Sequence, residues 1–109
     1  MDYPPIITRL PQAEVPFPGI DAYMLRSSDG LVVFFHFTQE TVVPTHSHGA
    51  QWGTVLEGEI ELTIDGQTRV YHPGEGYVIA AGQPHGARIP AGTKVMDFFE
   101  EPDRYKPRG

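Results

Sequence analysis

The chain has 109 residues, 39% of them hydrophobic, with Gly 12, Pro 11, no cysteine and a formal charge of -6. That length suits one domain, and the lack of cysteine excludes a disulfide framework, a thiolate metal site and a Cys nucleophile. The eight Lys and Arg are scattered through an acidic sequence, which leaves nucleic acid without a basic stripe to bind, and no run approaches the roughly 18 apolar residues of a membrane span, so a cytoplasmic protein off the membrane is expected.

Residues 1–20 hold Pro4, Pro5, Pro11, Pro16 and Pro18, which argues against a helix and leaves 6–10 as a candidate edge strand, in an arm expected to pack on a neighbouring subunit. Short β-rich runs then follow at 23–26, 31–38, 41–45, 52–57, 59–64, 68–72, 77–79, 86–89 and 93–100. Ser28-Asp29-Gly30, Glu57-Gly58, Asp65-Gly66, Pro73-Gly74 and Pro90-Ala91-Gly92 divide them as turns. The clearest run is 59–64, where polar and apolar residues alternate and then meet Asp65-Gly66, a strong hairpin signal. The pattern predicts an all-β barrel or sandwich over 21–100, followed by a surface tail at 101–109.

Within that pattern, His46 and His48 stand at i and i+2, a spacing that puts both imidazoles on one face of an extended strand. Gln51 follows three residues later and shares its face with Gly53 and Val55, while Trp52 and Thr54 take the other. Gly53 is therefore expected to leave open space beside Gln51, where a small molecule enters. The third imidazole, His85, follows the turn Ala81-Gly82-Gln83-Pro84 and joins the pair only if distant strands meet. Taken singly, each of these histidines is explained as well by a polar strand end or a turn bonded to backbone, and Gln51 by a role as a pocket donor. His36 and His72 are read as ordinary strand histidines, and Trp52, Phe34, Phe35, Phe37, Phe98 and Phe99 as core or interface bulk. Asp97 is different, because an acid inside Val95-Met96-Asp97-Phe98-Phe99 is costly unless something pairs or uses it. If the face it shares with Phe99 is interior, Asp97 becomes a candidate general acid or base; if exterior, it pairs with a surface cation.

These residues also carry a resemblance. HSHGAQWGTVLEGE resembles the first motif of the cupin superfamily, with His46-x-His48, Gln51 in the place of its glutamate, then six residues and Gly58. Gly74, five residues, Ala80, Ala81, Gly82, two residues and His85 resemble the second motif, and the likeness runs over about 31–99. Glu40, Gln51, Ala80 and Ile89 depart from the usual glycine, glutamate, proline and asparagine, and the gap after His48 is one residue short. The resemblance implies an antiparallel jelly-roll β-barrel and one divalent transition metal ion (Ni, Zn, Mn or Fe) on His46, His48 and His85, with Gln51 as fourth ligand. Such a neutral ligand set leaves the charge of the ion unscreened and favours a carboxylate or enolate substrate.

Small single-domain cupins that linearise uronates in pectin and alginate degradation are the branch this chain resembles most. Three histidines, a glutamine and an Asp-x-Phe pair on a late strand are their pattern, matched by His46, His48, Gln51, His85, Asp97 and Phe99. That resemblance implies a metal-dependent enzyme acting on a small oxygen-rich metabolite, with Asp97 moving the proton, Arg88 holding a substrate carboxylate and Phe99 and Gly53 lining the site. An iron-dependent dioxygenase and a non-catalytic sensing module are the alternatives. A homodimer is expected, since small barrels commonly cover their edges by pairing.

Overall fold

Apolar side chains at every second position fold the middle of the chain into nine antiparallel strands, most of them burying one side and wetting the other. The computed structural model describes residues 1–108. The strands are β1 (Ile20–Ser27), β2 (Gly30–Phe37), β3 (Thr41–His46), β4 (Gln51–Glu57), β5 (Ile60–Ile64), β6 (Gln67–Tyr71), β7 (Gly76–Ile79), β8 (His85–Ile89) and β9 (Lys94–Phe99). They form a five-stranded sheet in the order β1-β2-β9-β4-β7 and a four-stranded sheet in the order β3-β8-β5-β6. Each run expected from the sequence is a strand, with ends displaced by about a residue except at β1, which begins at Ile20.

The two sheets face each other across Met24, Val33, Phe35, Val55, Leu62, Ile79 and Val95, all buried, the arrangement of a jelly-roll sandwich. Sequence neighbours are split between layers: β3 and β8 pair in one sheet while β4 and β9 pair in the other. That crossing brings the end of β3, the start of β4, the start of β8 and the end of β9 to one mouth of the sandwich.

The arm departs from expectation in one respect. Residues 6–10 form no strand; a one-turn helix, α1, spans Pro5–Thr8. Proline sits at its first positions, where its missing N–H has no partner to lose, so the prolines that seemed to forbid a helix open one. The arm lies on its own barrel: the Tyr3 hydroxyl donates to the Phe35 carbonyl at 2.8 Å, and the N-terminal amine pairs with Glu57, which also holds the buried Lys94 at 2.7 Å. The tail returns to meet it, as Ala13 bridges to Pro107 and the Glu14 amide donates to the Lys106 carbonyl at 2.8 Å. No helix of the described residues is long and apolar enough to cross a membrane.

Candidate metal centre

His46 and His85 are register partners on β3 and β8, so their rings lie side by side with centroids 4.3 Å apart. His48 reaches them from the β3–β4 loop, 4.8 Å from His85 and 5.2 Å from His46 by ring centroids. Backbone anchors fix that loop: the amides of Gly49 and Ala50 donate to the carboxylates of Glu101 and Glu100, at 2.7 and 2.6 Å, and the Gly82 amide donates to the His48 carbonyl at 2.8 Å. The turn before His85 is held by side chains, with the Gln83 side-chain Nε2 donating to the Asp65 carboxylate at 2.6 Å.

Each of the three rings has its Nδ1 within 2.8 to 2.9 Å of a backbone carbonyl, those of Pro44, Gly49 and Gln83. A carbonyl can only accept, so every Nδ1 carries a hydrogen, and in the neutral ring the Nε2 then presents a lone pair. The ligand atoms of the triad lie within 4.8 Å of one another, and the Nε2 atoms of His48 and His85 are only 3.2 Å apart. Two lone pairs that close repel unless a cation lies between them. Burial also lowers the pKa of His48 and His85, which favours the neutral, ligating form.

Gln51 supplies a second, independent sign. Its side chain lies near enough to Asp97 to favour the ionised carboxylate, while its Oε1 is buried and has no hydrogen-bond partner in the protein. An unpartnered amide oxygen lining the same cavity as three convergent imidazoles is a donor of the kind a metal accepts. The residues present therefore fit a divalent transition metal.

Asp97 does face the interior. It is buried, it accepts a hydrogen bond from the Tyr77 hydroxyl at 2.8 Å, and burial pushes its carboxyl up to about 6 against the opposing pull of Tyr77 and Gln51. Phe99, on the same face, packs edge-on against His48 with centroids 5.7 Å apart. His46, His48, Gln51, His85, Asp97 and Phe99 all line one cavity of about 300 Å³.

Two expected residues stand elsewhere. Arg88 lies on the outer face of β8, its side chain 60% exposed and 3.6 Å from Glu40, because an offset of three from His85 on a strand selects the opposite side. Gly53 leaves no open space: a Cβ there would lie 2.0 Å from the Asp97 carboxylate and 2.5 Å from the Tyr77 ring. The room its missing side chain creates beside Gln51 is filled by the Asp97 carboxylate and the Tyr77 ring and not left for a small molecule. His36 and His72 sit beside Asp21 and Glu75, at 3.8 and 3.4 Å, outside the cavity.

Sequence reasoning overlooked Arg104. The guanidinium lines the cavity from the tail, 4.5 Å above the Tyr105 ring, and its buried Nε has no partner. Among the described residues no carboxylate lies within ion-pair distance of it. Tyr77 and Tyr105 were missed as well, the one as the partner of Asp97 and the other as a wall between Phe35 and Phe99.

Comparison with known proteins agrees with this geometry. The cupin domain pattern matches residues 33–99. The pectin degradation protein KdgF of Dickeya dadantii is 28% identical over 76 residues, covering 67% of this chain and 69% of that protein. Among solved structures, KdgF from Halomonas sp. superposes with a TM-score of 0.71 at 26% identity, over 89% of this chain and 86% of its own. An RmlC-like cupin from Shewanella frigidimarina gives a TM-score of 0.76 at 26% identity, over 88% and 87%.

Proposed function

The chain belongs to the cupin domain family, and from that premise we propose that it is a metal-dependent enzyme moving a proton within a small, carboxylate-bearing, oxygen-rich metabolite. The observation that carries this reading is the orphaned Gln51 oxygen in one cavity with three convergent imidazoles and a buried acid. A divalent transition metal held by His46, His48, His85 and Gln51 would supply Lewis acidity toward a substrate oxygen.

The remaining work belongs to side chains of this chain. Tyr77 holds the Asp97 carboxyl by a hydrogen bond and Gln51 lies beside it, so its geometry is set before substrate arrives. With a proton affinity raised to about 6, Asp97 can take a proton from one substrate atom and return it to another near neutral pH. Arg104, uncommitted at the mouth, is suited to a substrate carboxylate. Phe99 and Tyr105 keep water from the acid. Uronate linearisation is the specific reaction that the likeness to the pectin degradation protein favours.

Elemental analysis of protein purified without a histidine tag tests the site. One metal per chain is expected, absent from a His46→Ala, His85→Ala double variant. Asp97→Asn should keep the metal and lose turnover of an unsaturated uronate by about 100-fold or more. Metal-free wild-type protein that takes up no ion, or full turnover by Asp97→Asn, overturns the reading.

A further inference from the structure

Polar and apolar side chains are not mixed evenly along the cavity. His85, Ala87 and Ile89 follow one another on the inward side of β8, a run of about 13 Å at roughly 3.3 Å per residue. At its first step His85 faces His46 and at its second Ala87 faces Val43 and Leu62; at its third, Ile89 pairs with Thr41. On β9, Phe99, Asp97 and Val95 run the same way, from the histidines toward the apolar interior. One end thus gathers His46, His48, His85, Gln51, Asp97 and Arg104. The other is walled by Phe35, Phe37, Ile60, Leu62 and Ile89, all buried. Phe35 and Phe37 stack with centroids 5.6 Å apart, and none of the five walls offers a side-chain donor or acceptor.

We infer that the ligand of this cavity is amphipathic: a carboxylate with an adjacent hydroxyl or carbonyl at the histidine end, and an unoxygenated carbon chain or ring in the chamber of Phe35, Phe37, Ile60, Leu62 and Ile89. The inference rests on the metal-site reading for the head of the ligand and narrows the substrate to acids whose oxygens gather at one end. A ring hydroxylated on every carbon would bring hydroxyls into the chamber with no partner, and each unpaired hydroxyl is penalised there. A methylene in the same place gains from leaving water. The volume of about 300 Å³ limits the whole ligand to a small molecule. Such a ligand is not the uronate that the likeness to the pectin degradation protein favours, and the two substrates predict opposite orders of affinity.

Calorimetric titration of nickel-loaded and metal-free protein with 2-hydroxybutanoate, 2-hydroxyhexanoate, 2-hydroxyoctanoate and galacturonate tests it without any turnover. Affinity for the loaded protein should rise about fourfold per added methylene, and 2-hydroxyoctanoate should bind more tightly than galacturonate. Leu62→Thr, which shortens and polarises the wall, should flatten the series. A flat series in the loaded wild type, tighter binding of galacturonate, or no binding by any member overturns the inference. In the flat case, retained 2-hydroxybutanoate binding would leave the metal reading standing. The same gradient with equal affinities in metal-free protein would uphold the chamber and remove the metal from the proposed function.

Discussion

Asp97 holds a proton that the unfolded chain would release near pH 4, because burial raises its carboxyl from 3.8 to about 6. Its contribution to stability is full below pH 4 and lost as the pH rises through about 6, a swing on the order of 3 kcal/mol for a shift of this size. Glu57, held down to about 2 by Lys94 and the N-terminal amine, acts with the opposite sign as the pH falls below its ordinary range. The lowered pKa values of His48 and His85 also oppose it, up to about 6.5. Urea denaturation of metal-free wild type and Asp97→Asn cancels those shared groups. The variant should gain about 3 kcal/mol relative to wild type between pH 4 and pH 7; equal slopes would mean that Asp97 is not buried as described. Gly53→Ala should cost about 2–3 kcal/mol in the same assay, since its Cβ would collide with Asp97 and Tyr77. Arg104→Gln should leave metal content unchanged and weaken carboxylate ligands about tenfold or more, read by calorimetry. At this scale the sequence was legible where strand alternation applied. Gln51, Asp97 and Phe99 follow from period two, and the same rule counts Arg88 out three residues past His85; His46 and His48 do not share one strand face as their spacing predicts, because the register shifts after Val43 and the strand ends at His46, leaving His48 to reach the site from the loop. Gly53 misled because a missing side chain in a strand can be a void or a socket, and only the opposite strand decides. Arg104 carried no local signal at all, since its place depends on a tail folding back from outside the barrel.

Among the elements, strands were visible in the sequence because nearly all of them bury one side, and turns because glycine marks them. Asp65 and Gly66 both take positive φ in the β5–β6 hairpin, the conformation that such a two-residue connection requires. What no local pattern announces is how strands are shared between layers, because the pairing of β4 with β9 and of β3 with β8 joins segments some forty residues apart. The arm and tail are similar in kind: each is short and rich in proline or charge, and each is ordered by the other and by the barrel. Tyr105 closes the cavity by packing edge-on against Phe35 and Phe99, with centroids 6.0 and 5.6 Å apart. Tyr105→Ala should therefore cost about 3 kcal/mol, measured by chemical denaturation, a loss that a solvated tail residue would not produce.

Over the whole molecule, the outer faces of the two sheets differ in chemistry. Across the four-stranded sheet one outward row reads Val42, Arg88, Glu61, Val70 and carries both signs of charge. Across the five-stranded sheet a row reads Leu25, Val32, Phe98, Trp52, Val78 and carries none. Tyr3 covers the neighbouring row through Tyr23 and Phe34 and leaves this one open, with Val78 69% and Phe98 41% exposed. Two such rows related by a two-fold axis through Phe98 would set Leu25 against Val78 and Val32 against Trp52, a self-complementary match without like charges. The expected homodimer would use this face, and Phe98→Glu or Val78→Lys should convert it to monomers in sedimentation at micromolar concentration. A monomeric wild type would remove the dimer. Trp52 belongs to that row and is the only tryptophan of the chain. Its neighbour Gln51 points into the cavity while the indole points away, so the indole fluorescence would answer to pairing through this face far more than to a ligand entering among the histidines.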